Sequence, residues 1–167
     1  MITIKITGAK ELTANFRQLP LRAKDELTIA LKAALRDIRD RARAEHKFTT
    51  RSGETERGIE FNQTGPLSGV VGVTTKIGAY LHEGTGIYGA KGRPIVIVPK
   101  SRAALRWATG EGFAFSKRVV ISGIKGDPFL YKAARKETAA VRARFGEAIR
   151  KAVSYTHLRA HETLRHL

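Results

Sequence analysis

The chain has 167 residues, with 31 Lys and Arg against 15 Asp and Glu, five His, no Cys and 42% hydrophobic residues. There is no run of about 18 apolar residues to span a membrane. Met1-Ile2-Thr3-Ile4-Lys5 lacks the apolar stretch of a secretory signal, and the missing Cys excludes disulfide frameworks, thiolate zinc sites and cysteine nucleophiles. The apolar content is too high for a disordered chain, and the length suits one globular domain.

Ile2, Ile4 and Ile6 alternate with Thr3, Lys5 and Thr7, which predicts a short strand ended by Gly8. Glu11 to Leu19 is a short helix candidate stopped by Pro20. From Leu21 to about His46 the apolar residues Leu27, Leu31, Leu35, Ile38 and Ala42 recur at helical spacing, with charges on the other faces. That pattern predicts a long amphipathic helix. Thr49 to Gly53 reads as a loop. Ile59 and Phe61, then Val70, Val71 and Val73, flank a Thr64-Gly65-Pro66 turn and predict an antiparallel pair.

Lys76 to Leu81 fits a helical turn, and the glycine-rich stretch from Gly84 to Gly92 a mobile loop. Ile95 to Val98, between Pro94 and Pro99, suits a short strand. Leu105 to Ala108 and Phe113 to Phe115 suit further strands or a hairpin across Gly110 and Gly112, and Val119 to Ile121 is another apolar run. Gly123 to Pro128 turns the chain. A second long helix is expected from Pro128, with Asp127 as its cap and an apolar stripe of Leu130, Ala134, Val141, Phe145, Ile149 and Ala152. The order helix, strands, helix predicts an α+β fold: an antiparallel sheet with one long N-terminal and one long C-terminal helix packed on it, in a single domain over residues 1–152.

Residues 153–163, reading V-S-Y-T-H-L-R-A-H-E-T, resemble the translation of a transposase-type sequencing adapter. The tail 153–167 is therefore expected to be non-native, with the true chain cut near Ala152, and His157, His161 and His166 are set aside as accidental. Only His46 and His82 then remain, too few for a histidine metal cluster.

Charge is concentrated late: residues 101–152 carry 12 basic and 4 acidic side chains. Such a field favours a polyanion, whether DNA, RNA or an acidic protein surface, without choosing among them. Aromatic residues are 7% of the chain and show no alternation with basic ones, so stacking on single strands has little support.

Motifs for chemistry are sparse. His82-Glu83 is followed by Gly84-Thr85-Gly86, so it lacks the second His of a zinc-protease helix. The pair could serve as acid and base in a small hydrolase, but polar residues entering a glycine loop explain it as well. Gly84-x-Gly86 lacks the third glycine of a dinucleotide fingerprint. Neither a phosphate-binding loop nor a nucleophile elbow occurs. No catalytic residue, cofactor or metal is expected.

Three segments together resemble a known family. They are Arg51-Ser52-Gly53 with Arg57-Gly58-Ile59; Ala79-Tyr80-Leu81-His82-Glu83-Gly84-Thr85; and Gly123-Ile124-Lys125-Gly126-Asp127-Pro128-Phe129-Leu130 with Ala133-Ala134. In this order, after a long N-terminal helix, they look like the minor tail-component family of long-tailed bacteriophages (gene-product-ten-like head–tail joining or tail-completion proteins). The likeness spans residues 1–152. Family members often carry His-Pro where this chain has Ile121-Ser122.

The resemblance implies a structural virion protein of the tail or neck, assembled in the bacterial cytoplasm. It would form a homo-oligomeric ring and contact head-connector and tail-tube proteins, with no membrane partner. Tail terminator is the neighbouring reading, and a basic nucleic-acid-binding protein the alternative from another class. The motif residues Tyr80, Glu83, Gly84, Thr85, Gly123, Lys125, Pro128, Phe129 and Leu130 would act in folding and in shaping an interface. Read physically, Gly84 and Gly86 permit positive φ, Tyr80 and Leu81 anchor their turn in the core, Glu83 caps or pairs with a cation, and Phe129 and Leu130 pin the second helix. Lys91 and Arg93, on the glycine-rich loop, are the candidates for contact with an acidic partner or packaged DNA.

Overall fold

Helical periodicity decides the first half of the chain. In α1 (Leu21–Ala44) the buried positions are 23, 27, 30, 31, 34, 35, 38 and 42, one continuous stripe. All five apolar residues expected on that face, Leu27, Leu31, Leu35, Ile38 and Ala42, lie in it. The computed structural model describes residues 2–6 and 21–164, with side chains from residue 21 to 154 except 22. The helix expected at 11–19 falls outside the described residues.

The remaining elements follow in chain order. They are β1 (Ile2–Ile6) before α1, then α2 (Glu54–Arg57), β2 (Ile59–Gly65), β3 (Ser68–Val73), α3 (Lys76–Glu83), β4 (Ile95–Ile97), β5 (Leu105–Thr109), β6 (Gly112–Ser116), β7 (Val119–Ile121) and α4 (Phe129–Leu164). The class is α+β. The strands, however, divide into a three-stranded sheet ordered β1-β3-β2 and two two-stranded ribbons, β4-β7 and β5-β6. All pairings are antiparallel. Pro94 and Pro99 bracket the three-residue β4, and a residue without an N–H cannot extend a ladder. The one-turn helix α2 follows the loop expected at Thr49 to Gly53 and is not anticipated from the sequence. Gly53, at φ 69°, makes the bend into it.

The chain forms two compact units: Met1–Gly78 with Phe129–Leu167, and Ala79–Pro128. In the first, α1 and α4 run antiparallel. Leu27 and Ala30 cluster with Ala148, and Phe145 and Leu67 pack against them. Further along, Asp37 takes the guanidinium of Arg144, and Arg41 holds Glu137. Glu45 receives Lys136 and Arg41. Glu137 is buried in the middle of the α4 stripe, so its pairing with Arg41 is needed to offset its desolvation.

The stripe itself passes through Leu130, Ala133, Glu137, Val141, Phe145, Ala148 and Ala152. Ile149, expected on it, is 47% exposed. One residue past Ala148, it is rotated by about 100° from the packed face. Helix α4 begins at Phe129, just after Pro128, and its backbone continues to Leu164 through the segment expected to be non-native. Among the described residues no helix is long and apolar enough to cross a membrane.

β3 is the central strand. Gly69, Val71 and Val73 are buried on one face, opposite Gln63, Phe61 and Ile59 of β2. A Cβ at Gly69 would strike the Leu35 side chain, so this glycine sets how closely α1 lies on the sheet. After α1, His46 stacks on Phe48 at 3.8 Å, and Phe48 meets Phe129 edge-on at 5.5 Å. His46 also contacts Glu56 at 3.0 Å.

Leu35→Ala should cost about 2–5 kcal/mol in denaturant unfolding, as for other buried leucines. Gly69→Ala should cost about 1–3 kcal/mol by overpacking. Because the two residues meet, the double variant should be more stable than the sum of the single losses implies.

Candidate functional site

Two of the three motif segments meet as backbone. The Thr85 N–H donates to the Ile124 carbonyl at 2.8 Å and the Ile87 N–H to the Ser122 carbonyl at 2.8 Å. The Ile124 N–H donates in return to the Thr85 hydroxyl at 2.9 Å. The Asp127 N–H donates to the Leu81 carbonyl at 2.8 Å. The segments run antiparallel, and together they close the base of the 79–128 unit as a clasp.

Glycine makes this approach sterically feasible. A Cβ on Gly84 would lie 2.8 Å from the Gly126 nitrogen, and one on Gly126 would lie 2.7 Å from the Glu83 carbonyl carbon. A Cβ on Gly86 would collide with the Ser122 carbonyl, and one on Gly123 with the Thr85 carbonyl. Gly84, Gly86 and Gly123 also have φ of 85°, 65° and 99°, where side chains are strained. The glycine pattern is thus explained by closeness as well as by positive φ. The glycine-rich stretch is not open loop at its start: Gly86–Tyr88 forms a 3-10 turn, with the Tyr88 N–H donating to the Thr85 carbonyl at 3.2 Å.

The named side chains distribute unevenly around the clasp. Gly84 is buried, Thr85 and Gly123 are half-buried, and Glu83, Lys125 and Pro128 are exposed. Tyr80 does not anchor the core, being 54% exposed. Helix α3 buries Gly78 and His82, four residues apart on one face, and Tyr80 between them points the other way. Glu83 forms no ion pair among the described residues. Phe129 and Leu130 belong to the helical unit and are fully buried there. Lys91 and Arg93 are exposed beyond the clasp and take no part in it.

His82 is 4% exposed. Burial holds its imidazole below the ordinary value of 6.5, against the opposing pull of the Glu83 and Asp127 carboxylates. Asp127 is also buried. A buried imidazole whose protonation is disfavoured by burial fits a packed element of the clasp. Among the described residues no group of three or more metal-ligating side chains comes together.

Beyond the clasp the 79–128 unit is a nested pair of ribbons with no buried apolar side chain among the described residues. In β4-β7, Ile95, Val96 and Ile97 stand opposite Ile121, Val120 and Val119. Val96, Ile97, Val98, Val120 and Ile121 are exposed. In β5-β6 the register places Arg106 opposite Phe115 and Ala108 opposite Phe113 on one face, with Trp107 opposite Ala114 on the other. Trp107, Phe113 and Phe115 are exposed. The sequence carries this array as Arg106-Trp107 and Phe113-Ala114-Phe115-Ser116-Lys117-Arg118. The interleaving of basic and aromatic residues becomes evident once the hairpin register is known.

Compared with known protein families, characterised proteins and solved structures, the chain matches none.

Gly86→Ala or Gly123→Ala should open the clasp, which hydrogen exchange would report as faster exchange of the Thr85, Ile87 and Asp127 amides. Gly92→Ala, at φ 58° with open space around it, should leave those amides unchanged and cost only about 1–2 kcal/mol. The lowered pKa of His82 gives a separate expectation. Below pH 6.5 the unfolded chain takes up a proton that the folded chain resists, so stability falls as pH drops through that window. His82→Asn should flatten the fall in thermal midpoint between about pH 7 and 5.

Proposed function

We propose that this protein is a structural part of a tailed-bacteriophage virion: a head–tail joining or tail-completion subunit that assembles with copies of itself into a closed ring between head connector and tail tube. Its work is assembly rather than turnover. The resemblance in the Tyr80–Thr85 and Gly123–Leu130 segments supports this reading. The observation that carries it is the β4-β7 ribbon. A two-stranded ribbon is marginal in water, and this one is aliphatic on both faces and exposed at Val96, Ile97, Val120 and Ile121, with exposed Val98 next to it.

Burying a Val or Ile side chain is worth about 1.5–3 kcal/mol, so the ribbon gains by being covered. A neighbouring copy is the proposed cover, through a heterologous contact that closes on itself. Among the described residues β4 and β7 pair only with each other, which leaves both outer edges of the ribbon without a strand partner there. A tail terminator is the nearest rival, because it would use the same kind of ring. Lys91 and Arg93, exposed and close in sequence to the ribbon, would face an acidic surface of the head or tail partner.

Sedimentation should find the purified chain in a closed oligomer. Val96→Asp with Val120→Asp should give a monomer of unchanged helical content. A wild-type chain that stays monomeric alongside head-connector and tail-tube proteins rules the proposal out. Changing Lys91 and Arg93 to Glu should lower the yield of infectious particles without altering self-association.

A further inference from the structure

The cations of the two units are treated differently. In the helical unit Arg41, Lys136 and Arg144 each hold a carboxylate across the α1–α4 interface. Residues 99–118 carry five basic side chains and one acidic, Glu111, which sits in the hairpin turn. Among the described residues none of those five has a carboxylate partner. Alongside the hairpin lies an open groove of about 560 Å³ lined by Lys100, Ser101, Arg102, Arg106 and Phe115, with no carboxylate in its wall. The Arg106 guanidinium lies 3.7 Å from the centre of the Phe113 ring, which fixes it in place beside Phe115. Phe113 and Phe115 are 56% and 66% exposed.

We propose that this groove is a binding site for single-stranded nucleic acid, with Lys100, Arg102 and Arg106 on the phosphates and the Phe115 ring stacking on a base. An unneutralised cationic wall selects a polyanion. Exposed rings beside the cations select one with π-faces to offer, which bases have and acidic peptides lack. Rings this exposed reach bases that are unstacked, so a single strand fits better than a duplex, whose bases are stacked inside. Ser101 adds a hydroxyl within the groove. The site differs from the Lys91 and Arg93 loop. It lies within residues 99–118 of one copy and does not depend on ring assembly.

The test is fluorescence anisotropy on the full chain. The probe is a labelled oligothymidylate, with a duplex of equal length and polyglutamate as competitors, at about 50 and 200 mM salt. The single strand should bind most tightly and weaken steeply with salt. Changing Lys100, Arg102 and Arg106 together to Gln should lower affinity by roughly tenfold or more and reduce the slope of log K against log salt by about 2, as expected for three lost single-strand phosphate contacts. Phe115→Ala should lower affinity by roughly fivefold or more and leave the slope unchanged. All four residues lie in the groove wall and none is buried, so the thermal midpoint of each variant should match the wild type. Equal competition by polyglutamate, a preference for the duplex, or full affinity in either variant overturns the proposal.

Discussion

Steric closeness of two backbone segments governs the 79–128 unit. Thr85 and Ile87 bond to Ile124 and Ser122, and Leu81 bonds to Asp127. This is achieved only because Gly84, Gly86, Gly123 and Gly126 leave out four Cβ atoms that would meet opposing backbone. The arrangement exchanges side-chain packing for hydrogen bonding. It gives a unit without buried apolar side chains a defined base. His82 and Asp127, both buried, sit in the same two segments.

The other unit is built on the opposite principle. Its two long helices bury an almost unbroken apolar stripe, and the one buried carboxylate among their described residues, Glu137, lies opposite Arg41. Sliding α4 by one turn would move Glu137 away from its partner and leave a charge in an apolar seam, which is how a buried carboxylate with a half-exposed arginine fixes alignment while adding little net stability. One unit is thus stabilised by its own packing, while the other leaves Val96, Val98, Val120, Trp107, Phe113 and Phe115 exposed. That contrast motivates both the assembly reading and the nucleic-acid groove. The aliphatic base and the basic, aromatic hairpin suit partners of different chemistry.

What could be read from the sequence followed the range of the interactions. The α1 stripe from Leu27 to Ala42 is a local pattern, and it was fully legible. So was the strand pair β2-β3, and of the two readings open for residues 105–115 the hairpin is the one observed. Ile149 was misplaced because Ala148 and Ile149 both continue an apolar run, and spacing favours the larger residue. Packing favours the smaller one, beside Leu27 and Ala30. Tyr80 was misplaced because aromatic character suggests burial, whereas the short α3 buries Gly78 and His82. The glycines were legible as turn formers, but their contact across the clasp is non-local and leaves no periodic trace. The single sheet expected from seven apolar runs is instead three, because which strands pair is a non-local matter that alternation along the chain does not encode.

The clasp has a consequence for how such a chain can vary. Its two sides already stand at hydrogen-bonding distance at Thr85 and Ile124, so everything between them is, in entropic terms, a loop whose ends are tied. Lengthening such a loop adds only about 0.6 kcal/mol per doubling. The nested ribbons can therefore be shortened, extended or exchanged for another recognition element without undoing the clasp that ties their ends.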